Sequence, residues 1–289
     1  MTVTKEKTFP RTEIEGVSVS RMLIGTNWLL GWSHTGAAAD AMIKQKYDCA
    51  EKMVPVLSAY LENGVDTLMG LVSEQPELIK AIRLAEEKCE KKIIIVDTPI
   101  INVGDSDIDR AEAKEQFQRS KDCGATFSLI HHASIEPLVN HHKANIERIG
   151  DYTGMIRDLG MIPGASAHMP EIVIYSDAND YDIQTYIQIY NAMGFLMQVE
   201  VETVAKIIHA AKHPVMTIKP MAAGRCTPFV GFNFTWNTIR DCDMVTVGAH
   251  TEAEVLEDIE ISKAALERRL PNIAKRSSPD VHQAAFGNL

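Results

Sequence analysis

The sequence contains few cysteines, and they are not arranged in pairs. Its five cysteines stand at positions 49, 89, 123, 226 and 242, an odd number without any C-x-x-C pair. Disulfide frameworks and cysteine-rich structural zinc sites both require paired cysteines, so the pattern argues against these two classes. Scattered single thiols are typical of a reducing compartment, and we therefore expect the protein in the cytoplasm.

Long apolar runs and clusters of positive charge are also missing. A membrane-spanning helix needs about 18 consecutive apolar residues, and no apolar run in the sequence is close to that length. Residues 1–10 also lack the apolar core of a signal peptide. The 29 basic residues are outnumbered by 39 acidic ones, which gives a net charge of −10 without a basic run. Nucleic acid and membranes are therefore poor partners, and we expect a small-molecule substrate.

Linkers and contiguous functional motifs are absent as well. No stretch rich in proline, glycine or serine divides the chain, which predicts a single domain over residues 1–289. The first predicted strand continues as Thr26-Asn-Trp-Leu-Leu-Gly31 without the GxGxxG loop of a dinucleotide-binding open sheet. No HExxH pair of histidines is present either, so any metal site must be assembled by the fold.

What the sequence does contain is a regular alternation of strand and helix patterns. Short β-branched runs predict strands at residues 21–26, 65–69, 92–96, 126–130, 161–165, 186–190, 215–218 and 243–247. Amphipathic stretches between them predict helices, most clearly at 47–63, 75–91, 145–159 and 201–212. Eight such units predict an α/β fold, a (β/α)8 TIM barrel, rather than a doubly wound open sheet.

Three segments have patterns of their own. Residues 10–20 predict a hairpin before the first barrel strand, which we expect to close the N-terminal mouth. Residues 193–197 are apolar and predict either a wall of the pocket or a contact in a homo-oligomer. The polar tail at 275–289 is either loose or folded over the barrel or a partner subunit.

Ionisable residues follow several of the predicted strands. In barrel enzymes the active site lies at the carboxyl ends of the strands, so side chains at those positions are candidates for chemistry. His131 and His132 end the fourth strand. Alternation along a strand sends neighbouring side chains to opposite faces, so only one of the two is expected to face the barrel axis. The sequence does not decide which one.

A metal site can be assembled from these strand ends. His168 follows the fifth strand, which has small residues, and Asp97 ends the third. His132, His168 and Asp97 together would suit a divalent ion such as Zn, Ni, Mn or Fe. For Asp97, capping of the following turn is an equally good interpretation.

Further polar residues are candidates for contacts with a substrate. Lys219 ends the seventh strand, and it could form a Schiff base, hold an anionic group or pair with a buried carboxylate. Arg225 follows a flexible glycine and could bind an anion. Asn27 and Asn191 follow the first and sixth strands and are candidate substrate-binding residues.

Four short motifs resemble those of the aldo-keto reductase family. They are Val17-Ser-Val-Ser-Arg-Met-Leu-Ile-Gly-Thr26, Gly64-Val-Asp66-Thr67, Leu129-Ile-His131-His132 and the VTVGAHTEAE segment at 245–254. The resemblance spans residues 12–265. It implies a TIM barrel, an NADP-linked oxidoreductase activity, and catalytic roles for Asp66 and His131.

The sequence departs from that family at two catalytic positions. Where the family has its proton-donating tyrosine this chain has Leu71, and where it has a lysine this chain has Asp97-Thr98. Loss of both removes the proton-transfer machinery that the resemblance implies.

Two functions therefore compete. The first is a metal-assisted lyase, isomerase or hydrolase that acts on a small carbonyl or hydroxy compound, such as a sugar or hydroxy acid, with Lys219 as a further catalytic residue. The alternative is an NAD(P)-dependent oxidoreductase with a rearranged set of catalytic residues. A Schiff-base aldolase and a non-catalytic binding protein are further hypotheses.

Overall fold

The computed structural model describes residues 8–273, so the predicted tail at 275–289 lies outside the described residues. The strands are β1 (Arg11–Ile14), β2 (Val17–Ser20), β3 (Met22–Gly25), β4 (Thr67–Gly70), β5 (Ile94–Asp97), β6 (Ala125–Ile130), β7 (Val139–Asn140), β8 (Asn145–Ile146), β9 (Ile162–Ala167), β10 (Tyr186–Ile189), β11 (Val215–Ile218) and β12 (Met244–Val247). The helices are α1 (Asn27–Leu30), α2 (Ala37–Lys46), α3 (Ala50–Glu62), α4 (Pro76–Cys89), α5 (Asp107–Asp122), α6 (His132–Ile135), α7 (Ile149–Asp158), α8 (Glu171–Ala178), α9 (Val201–Ala210), α10 (Pro228–Thr238) and α11 (Glu252–Leu266). Short 3-10 turns cover Glu136–Leu138 and Ala222–Gly224.

Eight parallel strands close into a barrel. They pair in the order β3, β4, β5, β6, β9, β10, β11 and β12, and β12 pairs with β3 to close the ring. The predicted TIM barrel is confirmed, and each of the eight predicted strands overlaps one barrel strand. The strand β9 runs two residues beyond its predicted end at residue 165, so Ser166 belongs to the strand.

Side chains of the barrel strands alternate between two apolar layers, as the pleat of a strand requires. Leu23, Phe127 and Leu129 belong to a cluster inside the barrel. Ile24 and Ile130 belong to a larger cluster between the strands and the surrounding helices. The strands are therefore buried on both faces, which is why they are almost continuously apolar in sequence.

The N-terminal hairpin closes one mouth of the barrel. Strands β1 and β2 pair in antiparallel fashion, as predicted. Ile14 and Val19 of this hairpin are buried in the same cluster as the barrel interior. The backbone N–H of Ser20 donates to Thr67 Oγ1 over 3.0 Å, at the first residue of β4. The hairpin therefore covers the N-terminal ends of the strands.

The last helix begins at a side-chain cap. Thr251 Oγ1 accepts a hydrogen bond from the backbone N–H of Glu254 over 3.1 Å, which is one half of a capping box. The Glu254 carboxylate accepts from the N–H of His250 over 2.6 Å, one residue earlier than the usual partner in such a box. Among the described residues, no helix has the length and apolar character needed to cross a membrane.

Candidate active site at the carboxyl ends of the strands

A cavity of about 710 Å³ opens at the C-terminal mouth of the barrel. Its walls are formed by strand ends and by the loops that follow them, which is where barrel enzymes place their active sites. Six of the candidate residues named from the sequence line it: Asn27, His131, His132, His168, Lys219 and Arg225. The volume is within the range of small-molecule and cofactor sites.

Both histidines at the end of β6 face the cavity. His131 continues the inward alternation of Phe127 and Leu129, which lie in the barrel interior. The strand ends at Ile130, and the chain turns into helix α6 at His132. Because alternation does not apply beyond the last strand residue, His132 also reaches the cavity. Both side chains therefore reach the cavity, although only His131 continues the inward-facing alternation of the strand.

The backbone around His131 fixes its tautomer. His131 is the N-cap of α6, and its Nδ1 accepts a hydrogen bond from the N–H of Ala133 over 3.2 Å. In a neutral imidazole the proton then resides on Nε2, which is left as a donor. Burial, with a smaller effect from His132, lowers the pKa of His131 to about 4. The side chain is therefore neutral at pH 7.

The three imidazoles lie side by side, and those of His132 and His168 are stacked. The ring centroids of His131 and His132 are 4.2 Å apart, and those of His132 and His168 are 3.9 Å apart, with 21° between the latter planes. Burial lowers the pKa of His168 to about 3, and the neighbouring His132 adds to this. Burial also lowers the pKa of His132, against the opposing effect of Glu136. Neutral imidazoles can stack without charge repulsion, and they can bind metals.

Glu136 joins this cluster, although the sequence analysis did not select it. It lies one helical turn after His132, and its Oε2 is 3.9 Å from His132 Nδ1. Its Oε1 accepts hydrogen bonds from the backbone N–H groups of His168 and Met169, over 2.7 and 3.0 Å. The spacing of four residues between His132 and Glu136 is the sequence signal that could have identified it.

Lys219 projects into the cavity from a strained backbone position. Its φ angle is +62°, in the left-handed region that non-glycine residues rarely occupy. Its Nζ lies 3.0 Å from His34 Nε2. His34 Nδ1 lies 3.0 Å from the carbonyl oxygen of Trp32, to which it can only donate, so Nε2 is the acceptor for the lysine. Burial lowers the pKa of Lys219 to about 8.

Aromatic and cationic side chains complete the walls. Trp28, in the short helix α1 that follows β3, and Trp32, just after that helix, both line the cavity. The Arg225 guanidinium lies 3.9 Å from the centroid of the Phe195 ring, and its Nη1 donates to the carbonyl oxygen of Ala222 over 3.1 Å. These contacts hold the guanidinium at the edge of the cavity. The sequence analysis did not select Trp28, Trp32 or His34.

The start of helix α11, which follows β12, is rich in acidic residues, whereas the loop after β11 carries Lys219 and Arg225. Glu254, Glu257 and Asp258 line this part of the cavity. Burial raises the pKa of Asp258 well above its usual range, with further effects from Glu254 and Glu257. The N–H groups of His250 and Glu254 already donate to side chains, so this helix start is not an open anion site.

Asp66, predicted to be catalytic, lies at the opposite mouth. It precedes the first residue of β4. Its carboxylate forms an ion pair of 2.8 Å with Arg11 of the hairpin. At the cavity end of the same strand stands Met69. The motif match placed the carboxylate at the wrong end of the strand, so of the predicted catalytic aspartate and histidine only His131 is near the cavity.

Asp97, predicted to bind the metal, faces away from the cavity. Its Oδ1 accepts from the N–H groups of Val72 and Ser73 over 2.7 and 3.1 Å, and its Oδ2 accepts from Ser120 Oγ over 2.5 Å. The side chain is fully buried. Asp97 therefore joins the β4 loop to helix α5, and the structure does not bring it together with His132 and His168.

Asn191, predicted to bind the substrate, holds its own loop. Its Oδ1 accepts from the N–H groups of Met193 and Phe195 over 3.1 and 2.9 Å. Its Nδ2 donates to the carbonyl oxygen of Phe195 over 3.0 Å. The side chain is fully buried, and these bonds occupy it in a local turn rather than at the cavity wall.

Comparison with known proteins identifies the fold. No protein-family model matches the sequence, and no curated protein matches it either. Among solved structures, the chain is similar to a protein described as an aldo-keto reductase from Pseudomonas aeruginosa, with a TM-score of 0.64 and 13% identity over 92% of this chain and 100% of that one. A glycerol dehydrogenase from Gluconobacter oxydans gives a TM-score of 0.60 and 13% identity over 93% and 98%.

A third similar structure contains a cofactor. It is an aldo-keto reductase from Klebsiella pneumoniae in complex with NADPH, with a TM-score of 0.57 and 14% identity over 92% of each chain. At such identities the likeness establishes the fold. The chain therefore shares the (β/α)8 barrel fold of these proteins, which is the fold that the sequence resemblance implied.

Proposed function

We propose that the protein is a nicotinamide-dependent oxidoreductase that interconverts a carbonyl and a hydroxyl group on a small polar compound. The observation that carries the proposal is the placement of His131 and Lys219 in one cavity, at the carboxyl ends of β6 and β11. Similar barrels include a glycerol dehydrogenase and a reductase in complex with NADPH. These likenesses favour redox chemistry over the metal-assisted lyase, isomerase or hydrolase that the sequence also predicted.

The residues at the cavity fit a nicotinamide dinucleotide. Lys219 and Arg225 supply positive charge after β11, where barrel enzymes often bind phosphate. Trp28 and Trp32 supply flat apolar surfaces against which a nicotinamide or sugar ring can stack. The acidic residues at the start of α11 disfavour phosphate there, so the diphosphate would lie on the side of Arg225. When bound, the reduced nicotinamide supplies a hydride.

The chain's own residues supply the proton and the orientation of the substrate. The Nε2–H of His131 can donate a hydrogen bond to the substrate carbonyl oxygen. Lys219, as an ammonium, can transfer a proton to that oxygen when the carbonyl carbon is reduced, and the amine takes the proton back in the reverse direction. A pKa of about 8 is near the working range of a general acid, and His34 positions Nζ by accepting its hydrogen bond.

Binding and turnover test this proposal separately. Titration of the protein with NADH and with NADPH should quench the fluorescence of Trp28 and Trp32 in a saturable way. With a reducible aldehyde or keto acid, oxidation of the nicotinamide should slow as the pH rises through about 8, because the Lys219 ammonium is lost. Absence of binding for both nucleotides at millimolar concentration would exclude the function.

A metal-assisted enzyme is the second candidate function. One observation favours it, the convergence of two imidazoles and a carboxylate at His132, His168 and Glu136. If the protein turns over a hydroxy compound without nicotinamide, and a chelator abolishes that activity, the second candidate replaces the first.

A further inference from the structure

We propose that His132, Glu136 and His168 bind one divalent transition-metal ion at the wall of the cavity. One ligand atom from each residue lies within 4.8 Å of the other two. Two imidazoles and one carboxylate form the protein ligand set of several catalytic zinc sites and of non-haem Fe(II) sites, both of which keep coordination positions open. Imidazole ligands favour transition metals over Mg²⁺ and Ca²⁺, which prefer oxygen.

Glu136 is held by the backbone in a position that suits a ligand. Its Oε1 accepts the N–H groups of His168 and Met169, at the point where the chain leaves β9. This leaves Oε2 directed towards His132, at 3.9 Å from Nδ1. Hydrogen bonds from neighbouring groups commonly orient metal-binding carboxylates in this way. The same bonds tie Glu136 to the backbone of His168, so two of the three ligands are positioned together.

Metal binding requires a small rotation of the imidazole rings. In a tetrahedral centre with metal–nitrogen distances of about 2.1 Å, the two ligating nitrogens lie about 3.4 Å apart. The metal ion lies in the plane of each imidazole ring. The rings of His132 and His168 are instead stacked at 3.9 Å. The two rings must therefore turn about their Cβ–Cγ bonds before a nitrogen of each can bind the same ion. The side chains of His132 and Glu136 are 30% and 20% exposed, which leaves room for this movement.

The open coordination positions would face the substrate space. His132 and His168 both line the cavity, and His131 lies beside them. A metal here could polarise a substrate oxygen or activate a water molecule. Metal binding is measured without a nucleotide, so failure of this proposal and failure of the nicotinamide proposal can be told apart.

The test measures metal binding by the full-length chain. After dialysis against a chelator and then metal-free buffer, the protein is titrated with Zn²⁺ by calorimetry and with Co²⁺ by visible absorption, which reports the ligand geometry. We expect one equivalent of each metal. Glu136→Gln should weaken binding by at least about 100-fold, since it removes the only anionic ligand. The glutamine oxygen can still accept the His168 and Met169 N–H groups, so the fold should be retained.

A matched control separates this cluster from the other cavity histidines. His250 lines the same cavity but packs against Trp28 and Tyr47, outside the cluster. His250→Gln should therefore bind Zn²⁺ as the unsubstituted protein does, while His168→Gln should not. The proposal is overturned if the unsubstituted protein binds neither metal, if Glu136→Gln binds as tightly as the parent, or if His250→Gln weakens binding equally. None of these outcomes alters the nucleotide titration.

Discussion

The two mouths of the barrel are built from different kinds of contact. At the N-terminal mouth the hairpin buries Ile14 and Val19 in the barrel interior, and Arg11 and Asp66 pair with each other. At the C-terminal mouth a cavity of about 710 Å³ stays open, and buried polar atoms such as Thr26 Oγ1 and Thr246 Oγ1 have no partner within residues 8–273.

The N-terminal mouth therefore contributes to stability, and the C-terminal mouth contributes the groups for chemistry. Apolar burial and paired charges stabilise a fold but leave no group available for a ligand. Imidazoles and an amine whose pKa values are lowered by burial, collected from several strand ends, are what an active site needs. Substitutions at the N-terminal mouth should therefore change unfolding, and substitutions at the C-terminal mouth should change binding and turnover.

The largest expected effect is on turnover at the C-terminal mouth. Lys219→Met removes the proposed general acid and should lower the rate of carbonyl reduction by about 10²–10⁴-fold. Removal of a buried amine with a lowered pKa should not lower the melting temperature. The control is Lys212→Met, which removes a surface ammonium that pairs with Asp180. Equal rates for both variants would show that Lys219 has no role in the chemistry.

At the N-terminal mouth the largest effect should be on stability. Ile14 is 1% exposed, so Ile14→Ala should lower the free energy of unfolding by about 2–5 kcal/mol. Denaturant titration measures this change. Nucleotide and metal affinities of the folded variant should match those of the parent, because the hairpin does not line the cavity. A loss of nucleotide or metal affinity in the folded variant would contradict the claim that this mouth serves stability alone.

The buried His131 predicts a dependence of stability on pH. Burial lowers the pKa of His131 in the folded protein to about 4, while an unfolded histidine titrates near 6.5. The unfolded chain therefore binds more protons in this range, and stability is lost as the pH falls from about 6.5 to about 4. His131→Asn keeps an N-cap acceptor but removes the titration. The melting temperatures of the variant and the parent are measured at pH 7 and pH 5 in the presence of a chelator. Between these pH values the melting temperature of the variant should fall by about 2–4 °C less than that of the parent. An identical loss would show that His131 does not contribute.

The smallest effect is expected for Asp66. Its ion pair with Arg11 is partly exposed, at 26% for the aspartate side chain, and such pairs contribute about 0–1 kcal/mol. Asp66→Asn should therefore change stability by less than about 1 kcal/mol and leave the turnover rate unchanged. A large loss of activity with unchanged stability would restore the catalytic role that the sequence resemblance implied.

The fold could be predicted from the sequence because its signals are local. Each barrel strand is a short β-branched run, buried on both faces, and each is followed by an amphipathic stretch, so their number and order could be counted. The hairpin could be predicted for the same reason. The helix predicted from residue 145 begins at Ile149, because Asn145 and Ile146 pair with β7 in a small ladder that leaves little trace in the sequence.

The site could be predicted only in part, because it depends on where each strand ends. His131, His168 and Lys219 follow strands and face the cavity as expected. Asp66 was assigned from a motif, without regard to which end of the strand it occupies. Glu136 was missed because its position depends on the turn into α6 and on the backbone of β9, which are tertiary features.

The central claim is that nicotinamide-dependent chemistry takes place between His131 and Lys219. The most direct test is a crystal structure of the protein with NADH or NADPH bound. We expect the nicotinamide ring in the C-terminal cavity, near Lys219 Nζ and the imidazole of His131, with the diphosphate on the side of Arg225. A nucleotide bound outside this cavity, or a cavity that stays free of nucleotide in crystals grown at saturating concentration, would contradict it.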